Sequence, residues 1–342
     1  MKTSVVGTVL LLGLSSGAAF AADYPQAGIA NGQVRAKIYL PDAEKGFYRS
    51  TRFDWSGVFA SLECKGHSYF GPWFDSIDPS VRDFKFDGPN VVAGAVSSTM
   101  GPAEEFASGN SALGYDEAKA GGTFIKIGVG VLRKPEEPRY DHFRAYEMVN
   151  PGKWTVRKGA DFVEFTQVVS GGAGYAYLYR KTARLTRGKP ELVLEHSLKN
   201  TGKRAFETSV YDHNFLVIDK QATGPDFTLT FPFEIQTSRP PAKEMAEIRG
   251  KQIAYVKTLA SGDRVSATVQ GYGNTAKDYD IRVENTKTGA GVRITGDKPL
   301  SNLVVWSIKS VIAPEPFVTM SIEPGQESTW RYNYEFYTLP GK

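Results

Sequence analysis

Apolar positions along most of this chain recur with period two, the spacing of a strand with one covered face. In residues 191–199, Leu192, Leu194, His196 and Leu198 fall on one side, and Val193, Glu195, Ser197 and Lys199 on the other. Tyr175, Tyr177 and Tyr179 share a face within 175–182, as do Trp330, Tyr332, Tyr334 and Phe336 within 330–337. The same reading predicts strands at 34–40, 123–133, 162–169, 209–219, 227–235, 253–258, 264–270, 280–284, 291–295, 302–309 and 317–322. Helical spacing is confined to 242–248 and a short stretch at 103–107, inside a loop-rich region, 75–120. Many strands at short intervals, separated by Gly, Pro and Asn turns, predict an all-β antiparallel sandwich or barrel. No shift in composition marks a boundary, which favours one large sandwich domain over residues 22–342.

The first residues depart from this pattern. Lys2, the apolar run 5–14 and the small-x-small sequence Ala19-Phe20-Ala21 are the marks of a signal peptide, residues 1–21, cleaved after Ala21. The mature chain is then expected in a bacterial periplasm or outside the cell. No later stretch is long and uncharged enough to predict a membrane span. The lone cysteine, Cys64, leaves the fold without an internal disulfide. Net charge is +4 with both signs interspersed, and no Lys/Arg stripe points to nucleic acid. Aromatic residues are frequent, with 17 tyrosines. Rings such as Trp55, Trp73 and Tyr69 suit either stacking on a sugar or packing in a β core.

Candidate chemistry concentrates in Tyr211-Asp212-His213-Asn214-Phe215, which holds one of four histidines. Ser209, Tyr211, His213 and Phe215 share one strand face, so His213 reads either as a proton-transfer group or as a hydrogen-bonded core histidine. His196, among leucines, reads as a core histidine. Glu104-Glu105 reads as the start of a short helix, and Arg52 has Asp54 as a near partner. Gly128-Val129-Gly130 lacks the third glycine and following helix of a dinucleotide loop and reads as a strand with a close backbone contact. There is no His-Glu-x-x-His or cysteine cluster for zinc, and no Gly-x-Ser-x-Gly elbow. A glycosidase-type pair of carboxylates stays open, because sequence sets no distance between them.

Residues 153–219 resemble the aldose 1-epimerase (galactose mutarotase-like) superfamily. The resemblance runs through Trp154-Thr155-Val156, Ser170-Gly171-Gly172-Ala173-Gly174-Tyr175, Leu192-Val193-Leu194-Glu195-His196 and Asp212-His213-Asn214-Phe215. It resumes in Ala313-Pro314-Glu315-Pro316-Phe317, Ile322-Glu323-Pro324-Gly325-Gln326 and the aromatic strand from Trp330. The chain departs from the family pattern at Asp212, where the family has asparagine, and in lacking the tyrosine after the histidine. The resemblance implies a large antiparallel β-sandwich of supersandwich type, with a sugar cleft on one sheet and no cofactor. It implies that His213 protonates the ring oxygen and Glu315 takes the proton of the anomeric hydroxyl, a protonated imidazole beside an ionised carboxylate. Arg52, Asn214 and either His142 or His67 would contact the sugar. The expected partner is thus a mono- or oligosaccharide, and the expected activity is anomer interconversion. The alternatives are a carbohydrate binder without turnover, or a polysaccharide lyase or hydrolase on the same fold.

Overall fold

The computed structural model describes residues 23–171 and 173–341; the signal-peptide segment lies outside the described residues. Strands β1 (Gln26–Ala30), β2 (Val34–Tyr39), β3 (Val58–Cys64) and β4 (His67–Phe70) form an antiparallel sheet in chain order. Strands β5 (Ser76–Ile77), β6 (Phe84–Asp87) and β7 (Asn90–Ala93) form a small sheet ordered β5-β7-β6. Next come β8 (Gly101–Ala107), β9 (Thr123–Lys126), β10 (Gly130–Arg133), β11 (Met148–Asn150), β12 (Lys153–Lys158), β13 (Phe162–Ser170), β14 (Ala176–Leu185), β15 (Glu191–Asn200) and β16 (Phe206–Phe215). The remainder are β17 (Phe227–Thr230), β18 (Ala246–Arg249), β19 (Gln252–Tyr255), β20 (Val265–Thr268), β21 (Asp280–Asn285), β22 (Ala290–Gly296), β23 (Asn302–Ile308), β24 (Val311–Ile322) and β25 (Glu327–Thr338).

Two antiparallel sheets carry the architecture. One has ten strands, β12-β13-β14-β15-β25-β22-β21-β17-β19-β18, and the other five, β20-β23-β24-β16-β8. Their inward side chains share one apolar core: Val163, Phe165, Leu192, Leu194 and Phe336 from the larger sheet meet Val210, Leu303, Val305, Val318 and Ile322 from the smaller. Fully covering such a side chain contributes ~1.5–3 kcal/mol, so this layer is the main stabilising element. The aromatic strand behaves as its spacing predicts, with Trp330, Tyr332, Tyr334 and Phe336 all buried.

Several expectations change. Residues 103–107 are not helical but lie in β8, and the region 75–120 holds β5 to β8. Glu104 and Glu105 therefore point to opposite faces of a sheet. Residues 242–248 make a single turn, Ala246 N–H to Ala242 O at 3.0 Å, and then enter strand β18. Residues 123–133 are a hairpin, β9 and β10, rather than one strand. Gly128 forms its turn at φ 79°, and a Cβ there would lie 2.8 Å from that of Asp54, so the close approach is real. The 317–322 strand begins earlier, at Val311, and runs through Pro314 and Pro316. The β16–β24 ladder stops at Tyr211–Phe317, so both prolines fall where β24 has lost that neighbour.

Candidate functional site

Two strands of the smaller sheet position almost every charged group of interest. β8 and β16 pair so that Glu105 stands opposite Tyr211, Glu104 opposite Asp212, and Ala103 opposite His213. Alternation then sorts these side chains into two networks, one on each face.

The inner network is sealed between the sheets. Lys181 on β14 bonds the Glu104 carboxylate and donates to Ser56 O at 3.0 Å, with Asp54 Oδ2 3.8 Å away. His196 Nε2 lies 2.7 Å from Glu104 Oε1 and its ring stacks on Trp330 at 4.8 Å, so it is the core histidine its strand pattern predicts. Asn214 belongs here too. It is fully buried and donates to Pro314 O and Asp212 O, both at 3.0 Å. The expectation that Asn214 contacts a sugar does not fit this position, because even residues of β16 face inward. Tyr334 touches both Asp212 Oδ2 and Asn214 Oδ1. One hydroxyl proton cannot serve two acceptors. A protonated Asp212 donating to Tyr334, which donates to Asn214, satisfies all three. Burial, reinforced by Glu104, agrees by pushing the Asp212 carboxyl up to about 8.

The outer network lines a cavity of about 1090 Å³, bordered by Arg52, Glu105, Tyr140, His142, Tyr211 and Glu315 among others. Arg52 is held on a bend whose backbone is tied by Phe53 N–H to the Tyr48 hydroxyl (3.0 Å) and Asp54 N–H to Glu104 O (2.8 Å). Its guanidinium lies over the rings of Phe53 and Phe143 at 4.5 and 4.6 Å. It donates to Glu105 Oε2 at 2.8 Å and to the Tyr211 hydroxyl at 3.1 Å, not to Asp54, which turns inward. Lys126 donates to Glu105 Oε1 at 3.0 Å, and Tyr211 to Oε2 at 2.6 Å. His142 Nδ1 stands 3.7 Å from Glu105 Oε1. Its loop is pinned by Arg82, which clamps the neighbouring Asp141 at 2.7 and 2.9 Å.

Burial disfavours an ionised Glu105, but Lys126 and Arg52 outweigh it and hold the carboxyl well below the usual range. Burial lowers the His142 pKa, with Arg52 and Lys126 adding and Glu105 opposing, so its imidazole is mostly neutral at pH 7. At Glu315 burial wins: its carboxyl is pushed up to about 8, with Arg52 opposing and Glu105 adding.

His213 and Glu315 do come together, but not across a sugar-sized space. His213 Nε2 is 3.4 Å from Glu315 Oε1. The imidazole is 5% exposed, stacked on Phe215 at 3.8 Å and edged by Trp306 and Phe53. Burial, then Arg52, holds it well below its ordinary pKa. A protonated imidazole beside an ionised carboxylate is therefore replaced by a neutral imidazole behind a carboxylic acid. His67 is elsewhere, in a second cavity that shares no lining residue with the first. Trp55, Trp73 and Tyr69 are buried, so they pack the core rather than offer stacking faces.

Sequence reading passed over Lys126 and Tyr140 and took Glu105 for the start of a helix. The adjacent pair Glu104-Glu105 held the signal: on a strand, two neighbouring carboxylates must serve different faces. Among the described residues no cluster of His, Cys, Asp and Glu is arranged to hold a metal, and no helix is long and apolar enough to cross a membrane.

No protein-family model and no curated protein matches the chain. Solved structures do. A Synechocystis protein superposes with a TM-score of 0.53 at 13% identity, covering 95% of this chain and 100% of that one. A galactose mutarotase related enzyme from Lactobacillus acidophilus gives 0.52 at 10% identity, covering 93% and 99%. The GalM/aldose epimerase homologue from C. elegans gives 0.51 at 13%, covering 92% and 99%. The chain thus has the galactose mutarotase-like fold that its sequence resembles. At such identities the likeness speaks for the fold and leaves the chemistry to the site.

Proposed function

We propose that the cleft binds a saccharide and that Glu315 exchanges protons with it, interconverting sugar anomers. The observation that carries this reading is a carboxyl at the cleft wall held near pH 8 by burial, in the same cavity as a neutral imidazole. The fold shared with a galactose mutarotase related enzyme supports it.

In this reading the roles differ from those the family resemblance implies. Glu315, protonated at neutral pH, gives its proton to the ring oxygen. His142, neutral, takes the proton of the anomeric hydroxyl. The ring opens, the C1–C2 bond rotates, and closure returns both protons. Each group contributes roughly 10²–10⁴ in rate. His213 is a positioning residue that holds the Glu315 carboxyl from behind. Arg52, with more N–H groups than Glu105 and Tyr211 occupy, supplies donors for sugar hydroxyls, and the cavity, slightly above the roughly 300–1,000 Å³ common for ligand pockets, has room beyond one ring. The leader-like residues 1–21 support work outside the cytoplasm, and a mature protein beginning at Ala22 is the result that would bear on it.

The second reading is a carbohydrate binder without turnover. The direct His213–Glu315 contact favours it, because a carboxyl engaged behind by an imidazole is less free to reach a substrate. Polarimetry of a panel of aldoses, with calorimetry on the same sugars, decides. Accelerated mutarotation that drops at least 100-fold in Glu315→Gln and His142→Gln, with binding retained, supports the enzyme. Binding with no acceleration by wild type supports the binder, and no binding of any aldose or oligosaccharide overturns both.

A further inference from the structure

The cavity around His67, about 540 Å³, is built from three turns. They are the β1–β2 turn with Gln33 and, just inside β2, Arg35, the β3–β4 hairpin with Glu63, Lys65 and His67, and the 3₁₀ turn with Asp219 and Lys220. Asp219 is spent on holding this wall together. Its Oδ2 lies 2.9 Å from His67 Nδ1, and its Oδ1 accepts the Ser68 N–H at 2.9 Å.

The charges left over are mostly positive. Arg35, Lys65 and Lys220 line the cavity and make no ion pair among the described residues. Glu63 is the one lining carboxylate apart from Asp219. The backbone is also unusual here. Four non-glycine residues have positive φ among the described residues, and Lys65, Asp219 and Lys220 are three of them. Lys65-Gly66, at φ 51° and 84°, is the two-residue hairpin turn between Cys64 and His67 that requires such angles. Asp219 and Lys220, at φ 51° and 52°, have no such excuse, and consecutive left-handed residues cost about 1–3 kcal/mol each. Strain of this kind persists where it aims side chains at a site. Here it sets Asp219 against His67 and places the Lys220 ammonium on the cavity.

We propose that this cavity is a separate binding site for a small tetrahedral oxyanion group of the phosphate or sulfate type, held by Arg35, Lys65 and Lys220, with the His67 ring on its wall. The saccharide reading of the main cleft is not needed for this.

The probe is inorganic phosphate, with sulfate in parallel, added to the full chain while the imidazole resonances are followed by NMR. Four histidines keep the spectrum simple. Saturable shifts of the His67 signals alone are expected, with affinity at least tenfold weaker in Lys65→Glu and in Lys220→Glu. Both lysines are exposed, so these variants fold, and unchanged His196 and His213 signals verify it. Glu315→Gln should bind phosphate as wild type does. No His67 shift at 20-fold the concentration that saturates an ordinary phosphate site, about 20 mM, overturns the proposal. Shifts that survive both charge reversals overturn it as well, as an adventitious ion only.

Discussion

Glu315→Gln separates the protonation state of the cleft carboxyl from its shape. Glutamine is nearly isosteric with a carboxylic acid and stays neutral at every pH. In wild type the folded carboxyl has a pKa of about 8 against an ordinary 4.5, so between those values the native state binds more protons than the unfolded one. Stability from this group is then complete below pH 4.5 and is lost as pH rises through 8. From 4.5 to pH 7 is about 2.5 pH units, worth about 3 kcal/mol at ~1.4 kcal/mol per unit. Urea denaturation of both proteins at pH 5, 6, 7, 8 and 9 measures the difference. Asp212 and Asp54, whose carboxyls burial pushes up to about 8 and about 7, titrate in both proteins and cancel. The variant should match wild type near pH 5, gain on it by about 3 kcal/mol at pH 7, and level off above pH 8. A difference that does not change with pH refutes the raised pKa, and with it the assignment of Glu315 as the acid.

The inner network gives two tests. Lys181→Met strands Glu104 and Asp54 without their cation and should cost about 3–5 kcal/mol in urea denaturation, partly restored by adding Glu104→Gln. Asp212→Asn should be neutral or stabilising by pH 8, because the protonated acid is what the site holds, whereas Asp212→Leu should lose about 1–3 kcal/mol by leaving the buried Tyr334 oxygen without its donor. In the cleft, Arg52→Lys keeps the charge but loses the fork to Glu105 and Tyr211, and calorimetry should show saccharide binding at least tenfold weaker with little change in fold.

The sheets were legible because period-two alternation is what a half-covered strand must show: 191–199 and 330–337 behave as their spacing predicts. What failed was local. The segment 103–107 reads Ala-Glu-Glu-Phe-Ala, a helix former by propensity, yet it is a strand because β16 pairs along its whole length. Tertiary pairing overrode propensity. The prolines at 314 and 316 lie outside the strand read at 317–322, yet they sit inside β24, since the strand has no ladder partner beside them on the β16 side. His213 and Glu315 were brought together by the fold, but their 3.4 Å contact and the sealing of the imidazole depend on Phe53, Phe215 and Trp306, which lie far apart in sequence. No spacing rule gives the depth of a side chain in a cleft. His67 and His142 could not be ranked for the same reason: only the paths of two loops decide that His142 lines the main cavity and His67 the other.

The paired strands β8 and β16 explain why this chain places so much charge in one small region. These two strands, β8 at the sheet edge and β16 beside it, have one face toward the core and one toward the cleft, and here both faces carry ions. Glu104 and Asp212 face Lys181, His196 and Tyr334; Glu105 and Tyr211, one residue along, face Arg52, Lys126 and His142. A slip of β8 by one residue would exchange its two carboxylates, putting the strongly ionised Glu105 against Asp212, which is held protonated, and turning Glu104 to the cleft, away from Lys181 and His196. The inner ions therefore act as a register lock for the outer ones. The buried pair contributes little net stability in such an arrangement, since desolvation offsets attraction, but it makes every other register worse. Precision at the cleft, where Glu105 must sit within hydrogen-bond reach of Arg52, Lys126 and Tyr211 at once, is set from behind by a network that touches no ligand.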